Sequence, residues 1–110
     1  MKTIEELNSL TSSNLMGHLS IRFIQTGPGI IMAEMPVDER HIQPFGRMHG
    51  GAALALAESV ASAGSWAMLT NNTTMVVGTE VSASHVGAAR AGGVVTAAGR
   101  LLHEGRLHHV

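Results

Sequence analysis

The chain has 110 residues, of which 45% are apolar and 14% charged, and this balance predicts one small folded domain. Seven basic and eight acidic residues give a net charge of −1, so the basic excess typical of nucleic-acid or anionic-membrane binding is missing. The absence of cysteine excludes disulfides, thiolate metal sites and cysteine nucleophiles. Aromatic residues make up only 3%, so aliphatic side chains and methionine are expected to form the core.

The N-terminal segment predicts a short helix. Thr3 is followed three residues later by Glu6, the spacing of a capping box, and the helix is expected over residues 4–10. Residues 14–18 predict one further helical turn. Glu5 and Glu6 stand where a signal peptide would carry an apolar run, so a cytoplasmic location is expected.

Two strands are predicted next, over residues 21–26 and 30–35. The Gly27-Pro28-Gly29 turn between them indicates an antiparallel hairpin. The inward-facing positions of the second strand are predicted to be Ile31, Ala33 and Met35. A polar segment over residues 37–47 predicts a long loop, and loops of that length often carry function.

One long helix is predicted over residues 48–69, and it carries apolar or small residues nearly all round. It is therefore expected to be buried on most sides, close against a sheet and not across a membrane. Further strands are predicted over residues 73–86, 94–102 and 106–110. Runs of strands with one segregated helix indicate an α+β domain with a mainly antiparallel sheet.

The residues at the start of the long helix predict a site. His49, Gly50 and Gly51 stand where the loop enters the helix, and the first N–H groups of a helix lack intrahelical partners. Glycine lets a ligand approach these groups, which could then act as oxyanion donors. Glu58 is the one carboxylate in the predicted helix, and burying it is costly without a purpose or a partner. A plain turn, and a structural acid held by the Ser62 hydroxyl one turn on, are the alternatives.

The spacing of Gly50 and Glu58 adds a geometric constraint. Eight residues along one helix correspond to about 12 Å, too far for one reacting carbonyl to contact both. If both groups serve one site, two copies of the helix must contribute. The sequence then predicts a dimer with its active site at the subunit interface.

Together these segments resemble the hotdog-fold acyl-CoA thioesterases, in the branch of the 4-hydroxybenzoyl-CoA, 1,4-dihydroxy-2-naphthoyl-CoA and enterobactin-proofreading enzymes. The likeness covers nearly the whole chain. The segments that carry it are Gln43-Pro44-Phe45-Gly46, His49-Gly50-Gly51, Ala57-Glu58-Ser59, Val77-Gly78-Thr79-Glu80-Val81 and His85-Val86.

The resemblance implies a fold, an assembly and a reaction. An antiparallel sheet wraps the long helix, and two chains pair into a dimer that usually forms a tetramer. Glu58 corresponds to the catalytic carboxylate, acting as nucleophile or general base. Gly50 N–H corresponds to the donor that polarises the thioester carbonyl, while His49 and Gln43 correspond to residues that bind or orient the thioester. No metal or other cofactor is needed.

The resemblance also implies substrate-binding positions. Ser62 corresponds to a hydroxyl near the catalytic carboxylate, and His85 to a histidine near the acyl or pantetheine site. Relatives often carry arginine where this chain has Gly87, and Arg90 corresponds to a second basic position toward the nucleotide. Met48 and Met68 are candidates for lining an acyl pocket. No metal site is expected, since the histidines lack ligand spacing.

The expected function is hydrolysis of an acyl-CoA or acyl-carrier thioester. The alternatives are a hotdog dehydratase or hydratase acting on hydroxyacyl thioesters and a non-catalytic acyl-CoA-binding protein; Glu58 and its context favour hydrolysis. Family members usually continue past the position of Val110. Residues 1–110 are therefore expected to form a single hotdog domain truncated at its C-terminal side.

Overall fold

The computed structural model describes residues 2–67 and 91–100. The elements in chain order are α1 (Ile4–Ser9), α2 (Leu15–His18), β1 (Arg22–Gly27), β2 (Ile30–Pro36), a 3-10 turn (Glu39–His41), α3 (Gly50–Ala67) and β3 (Val94–Arg100). The strand predicted over 73–86 and the last predicted strand lie outside the described residues. No helix in the described ranges is long and apolar enough to cross a membrane.

The capping box predicted for α1 is confirmed. Thr3 Oγ1 accepts a hydrogen bond from Glu6 N–H at 3.1 Å, and Glu6 Oε1 accepts one from Thr3 N–H at 3.2 Å. Two of the N–H groups that a helix start leaves unpaired are thereby satisfied. The side chain of Asn14 caps α2 by accepting a hydrogen bond from Met16 N–H.

The side chain of Asn8 fixes α1 against the sheet. Its Nδ2 donates to Phe23 O at 3.0 Å, and its Oδ1 accepts from Phe23 N–H at 2.8 Å. The register of β1 against β2 shifts between Phe23 and Gln25. Asn8 thus satisfies both backbone groups of a residue at this irregularity.

The predicted hairpin is confirmed, and the described sheet has the antiparallel order β1-β2-β3. Strands β2 and β3 pair without interruption, from Ile30↔Arg100 to Pro36↔Val94. The positions predicted to face inward on β2 are buried, namely Ile31, Ala33 and Met35. The two-residue alternation of a half-buried strand therefore placed the core correctly.

Helix α3 lies across the buried face of this sheet, at a distance set by glycine. A Cβ at Gly64 would come within 2.9 Å of Ile31 Cγ2, and one at Gly99 within 2.9 Å of Val60 Cγ1. The buried positions of α3 are Ala52, Leu56, Val60, Ala63 and Ala67. These share one face of the helix, and among the other described positions of α3 only Gly51, Glu58 and Ala61 are exposed while the rest are half-buried.

Helix α3 also begins two residues later than predicted. Met48 pairs with Ile42 in an isolated antiparallel bridge, and the helix starts at Gly50. The loop predicted over residues 37–47 contains the 3-10 turn, which periodicity does not reveal. The connection from β2 to α3 is thus ordered by the 3-10 turn and by the Ile42↔Met48 bridge.

Candidate active site

A buried histidine, His41, anchors the segment that leads into α3. Its side chain is 0% exposed. Nδ1 accepts a hydrogen bond from Asp38 N–H at 3.0 Å, and Nε2 lies 2.7 Å from Leu19 O. Because a carbonyl oxygen only accepts, Nε2 carries a proton, and Nδ1 also lies 3.1 Å from Asp38 Oδ1. His41 therefore ties the segment to the end of α2.

The two ends of this segment are held side by side. His49 N–H donates to His41 O at 2.6 Å, next to the Ile42↔Met48 bridge. Residues 43–47 therefore form a short loop whose two ends are held together by this pairing. The position of His49, and with it the start of α3, depends directly on the buried His41.

Gln43 holds this loop together through hydrogen bonds to Phe45 and Arg47. Its backbone N–H donates to Arg47 O at 2.7 Å, and its Oε1 accepts from Phe45 N–H and from Arg47 N–H. Because Oε1 is occupied by backbone donors, the Gln43 side-chain NH₂ is the group that can reach a ligand. Phe45, at the tip, is 87% exposed.

His49 caps the N-terminus of α3. Its Nδ1 accepts a hydrogen bond from Gly51 N–H at 2.8 Å, so the proton of the neutral ring lies on Nε2. A Cβ at Gly51 would lie 2.9 Å from Nδ1 and 3.0 Å from Cε1, in the space where the imidazole sits. Glycine at position 51 is therefore what allows this cap to form.

The backbone N–H of Gly50 is a second hydrogen-bonding group at the N-terminus of α3, beside the His49 side chain. Among the described residues, none accepts a hydrogen bond from Gly50 N–H. This N–H lies at the positive end of the α3 dipole, where an oxygen with developing negative charge is stabilised. The exposed imidazole of His49 adds an Nε2–H donor at the same end of the helix.

Glu58 and Ser62 line a cavity of about 530 Å³ beside the middle of α3. The cavity wall includes Leu10, Leu15, Met16, Phe23, Ala55, Ser59, Ala63 and Trp66. Glu58 is exposed, in contrast to the burial that the apolar helix suggested, because it lies on the face turned away from the sheet. The carboxylate is therefore accessible to water and to a ligand in the cavity.

The structure places the predicted residues in two groups. Gln43, His49 and Gly50 lie at the N-terminal end of α3, whereas Glu58 and Ser62 lie at the cavity, about 12 Å further along the helix axis. Met48 packs against the core and is not among the residues that line this cavity. The remaining predicted residues, Met68, His85 and Arg90, lie outside the described residues.

Two residues at or near these groups were missed by the sequence analysis. Trp66 lies four residues after Ser62 and eight after Glu58, so helical spacing could have placed it on the same face. His41 carries no comparable signal, since a lone histidine in a polar segment has no periodicity. In residues 2–67 and 91–100 no three His, Asp or Glu side chains are grouped as metal ligands would be.

Comparisons with known proteins identify the family. Residues 45–110 match the family model described as the Thioesterase superfamily. The chain is 44% identical over 108 residues to 1,4-dihydroxy-2-naphthoyl-CoA hydrolase of Escherichia coli (strain K12), and this match covers 98% of the chain and 78% of the relative.

Solved structures give the same result. A mutant of thioesterase PA1618 from Pseudomonas aeruginosa, with glutamine replaced by alanine, superimposes with a TM-score of 0.91 at 38% identity, covering 99% of this chain and 78% of that one. Protein SAV0944 of Staphylococcus aureus is known as a glutamate-to-alanine mutant (TM-score 0.82) and a glutamine-to-alanine mutant (0.81). Both are 32% identical; they cover 87% and 86% of this chain, and each match spans 78% of that protein. The chain therefore belongs to the thioesterase superfamily, a family of thioester hydrolases, and has the hotdog fold.

Proposed function

We propose that this thioesterase hydrolyses an acyl-CoA thioester with an aromatic acyl group, and that Glu58 is its catalytic carboxylate. The observation that carries the proposal is the exposed Glu58 carboxylate in the wall of a cavity, with the Ser62 hydroxyl one turn away. A cavity lined mainly by apolar side chains suits an acyl group. The aromatic acyl group is proposed because the Escherichia coli relative is named for a naphthoyl-CoA substrate.

In the proposed reaction the thioester carbonyl oxygen accepts hydrogen bonds at the N-terminus of α3. Gly50 N–H is the oxyanion donor, and His49 Nε2–H and the Gln43 amide orient the thioester. Since Nδ1 of His49 already accepts from Gly51 N–H, this ring acts as a donor and not as a base. Ser62 helps to place water or the acyl group next to Glu58.

Glu58 acts in one of two ways. As a general base it removes a proton from water, and the hydroxide adds to the carbonyl carbon; the tetrahedral intermediate then expels the CoA thiolate. As a nucleophile it adds to the carbon itself and expels the thiolate, and water then hydrolyses the acyl-glutamyl anhydride. Both routes end in a free carboxylic acid and CoA.

A dimer is part of the proposal. Gly50 and Glu58 of one helix are about 12 Å apart, so one carbonyl cannot contact both within a single chain. We therefore place the active site between two chains, with the donors from one and Glu58 from the other, in a homodimer that pairs further into a tetramer. The exposure of Glu58 on the helix face opposite the sheet is compatible with a second chain approaching that face.

The SAV0944 mutants support this choice of residues. The replaced glutamine and glutamate of that protein are fifteen positions apart, the same separation as Gln43 and Glu58. The two pairs therefore have matching places relative to each other in two chains that share the fold. This supports a joint role for Gln43 and Glu58.

Replacement of Glu58 by glutamine tests the proposal. Glu58→Gln removes the negative charge but keeps the shape, so release of free CoA from benzoyl-CoA should fall by about 10² to 10⁴-fold in kcat. A thiol reagent measures the release. Glu5→Gln, which removes an exposed carboxylate from α1, is the matched control and should keep the wild-type rate. Turnover of Glu58→Gln within twofold of wild type would rule out Glu58 as the catalytic group.

A further inference from the structure

Lys2 has an unusual environment for a lysine next to a chain terminus. It is only 6% exposed. Its Nζ lies 4.2 Å from the centroid of the Trp66 ring, within the range of a cation–π interaction. The same Nζ donates to Trp66 O at 3.3 Å, and Lys2 N–H donates to Ala67 O at 3.2 Å.

These contacts join the segment before α1 to Trp66 and Ala67 of α3, and Trp66 lines the cavity. Trp66 and Ala67 are the last two residues of α3 in the described part of the chain. Lys2 directly precedes Thr3, the cap of α1. The contacts of Lys2 with Trp66 and Ala67, hereafter the Lys2 clamp, thus hold the start of α1 against these two residues of α3.

The clamp acts on a side chain that lines the proposed acyl site. Trp66 lies in the cavity wall with Glu58 and Ser62, which precede it by two turns and one turn of the same helix. An unrestrained half-exposed indole would lose rotational freedom whenever a ligand packed against it, and that loss weakens binding. Contact with Lys2 removes part of this freedom before the substrate arrives.

We propose that Lys2 is a specificity-determining positioning residue, which holds the Trp66 indole as a fixed flat wall of the acyl cavity and so favours planar acyl groups. This inference rests on the proposed function, since it concerns the acyl group of the same site. A planar ring stacks on a fixed indole over its whole face, whereas a straight alkyl chain contacts a mobile wall almost equally well. Lys2 touches neither the substrate nor the reacting atoms.

Kinetics with two substrates test the inference on the full chain. Wild type should prefer benzoyl-CoA over octanoyl-CoA in kcat/KM. Lys2→Met, which keeps the aliphatic length but removes the charge and the donor, should lower kcat/KM for benzoyl-CoA by about three- to tenfold. The loss should lie in KM, with octanoyl-CoA changed less than about twofold, because the stacking contact is made equally in ground and transition states.

Two further substitutions at position 2 separate the contributions of the clamp. Lys2→Arg keeps a cation and donors and should restore the preference for benzoyl-CoA. Lys2→Gln keeps a hydrogen-bond donor without charge and should behave as Lys2→Met does, which also covers the case in which Lys2→Met does not fold. The control on the same segment is Glu5→Gln, which should leave both rates unchanged.

A double-mutant cycle shows whether Lys2 acts through Trp66. In a Trp66→Leu background, Lys2→Met should have no further effect on the ratio of the two kcat/KM values. Four results would each overturn the inference. Lys2→Met could lower kcat/KM equally for both substrates or for neither. Wild type could prefer octanoyl-CoA, or Lys2→Met could have its full effect in the Trp66→Leu background.

Fluorescence separates this inference from the proposed function. Trp66 is the only tryptophan of the chain, so its emission reports on the cavity alone. A non-hydrolysable benzoyl-CoA analogue, with a methylene between carbonyl and sulfur, should quench wild type and bind Lys2→Met about three- to tenfold more weakly. If wild type hydrolyses no CoA thioester, the proposed function fails, and this titration still decides the inference: equal binding to both proteins, or no quenching, overturns it.

Discussion

Single residues at the start of α3 supply the proposed hydrogen-bond donors, and their geometry is local. His49 can cap the helix because Gly51 leaves room for the imidazole. The cap in turn fixes which ring nitrogen carries the proton, so the side chain is set to donate through Nε2. A small change next to His49 should therefore affect activity more than stability.

Gly51→Ala tests this coupling. The new Cβ would displace the His49 ring, and kcat/KM for benzoyl-CoA should fall by at least about tenfold, because the orientation of a donor is lost. Stability should change little, since the lost cap (about 1 kcal/mol) is offset by the better helix propensity of alanine, a similar amount. Thiol release and thermal melting measure the two effects.

The background His49→Ala provides the control for Gly51→Ala. With the imidazole absent, the added methyl group has nothing to displace, so the second substitution should cost no further activity. A large additional loss in that background would mean that Gly51 matters for another reason, such as close approach of the substrate to the backbone.

The sequence could predict residues that belong to a spaced motif, and it could not predict those that act through a distant contact. His49, Gly50 and Glu58 were proposed from the chemistry of a helix start and of a lone carboxylate, and Gln43 was proposed from the resemblance to a known family. His41 was not, because its role depends on Leu19 O, which the fold brings to it from the end of α2. Lys2 was missed for the same reason, since Trp66 is 64 residues away along the chain.

At the scale of elements, local signals predicted what local interactions determine. The α1 cap and the hairpin agree with expectation, because a capping box and a strand alternation are satisfied within a few residues. The start of α3 was predicted two residues too early, because Met48 is held by its pairing with Ile42. The 3-10 turn before it depends on the Asp38–Arg40 pair, and Arg40 also contacts Ser20 Oγ, which is distant in the sequence.

The Asp38–Arg40 pair connects this turn to the segment between α2 and β1. Arg40 donates to the Asp38 carboxylate, and it also reaches Ser20 Oγ at 2.8 Å and His18 O. The side-chain hydrogen bonds from Arg40, followed by the one from its backbone N–H, hold the pKa of Asp38 well below the ordinary value of 3.8. The charged carboxylate is thus the form that stabilises the fold.

The pH dependence of stability follows from this lowered pKa. The contribution of Asp38 is fully present above its ordinary pKa and is lost as the pH falls toward the lowered one. The difference in melting temperature between wild type and Asp38→Asn should therefore be constant above about pH 5 and shrink below about pH 4. Arg40→Gln should show the same pH dependence against wild type, because it removes the partner. A gap that persists unchanged to pH 3 would contradict this account.

At the scale of the whole molecule, one chain holds all the proposed groups but not in one place. The donors lie at one end of α3 and the carboxylate lies about two turns along it, on the face turned away from the sheet. Helical rise alone predicted this separation, because it does not depend on tertiary contacts. A two-fold symmetric dimer would resolve it by placing each chain's donors beside the other chain's carboxylate.

Complementation between two inactive chains tests the shared site. Glu58→Gln and His49→Ala chains are co-expressed with different tags, and the mixed dimer is purified through both. If each site combines His49 of one chain with Glu58 of the other, the mixed dimer has one intact site and one with both defects. It should show about half the activity of a wild-type dimer, although each parent dimer is nearly inactive.

The opposite arrangement gives the opposite result. If both residues served a site within one chain, every site of the mixed dimer would carry one defect, and activity would stay at the level of the parents. A control dimer of wild type with a chain carrying both substitutions reverses the pattern: shared sites leave each site with one defect and little activity, whereas sites within one chain leave one site intact. The two dimers contain the same substitutions in equal number, so their difference depends only on which chain supplies each residue.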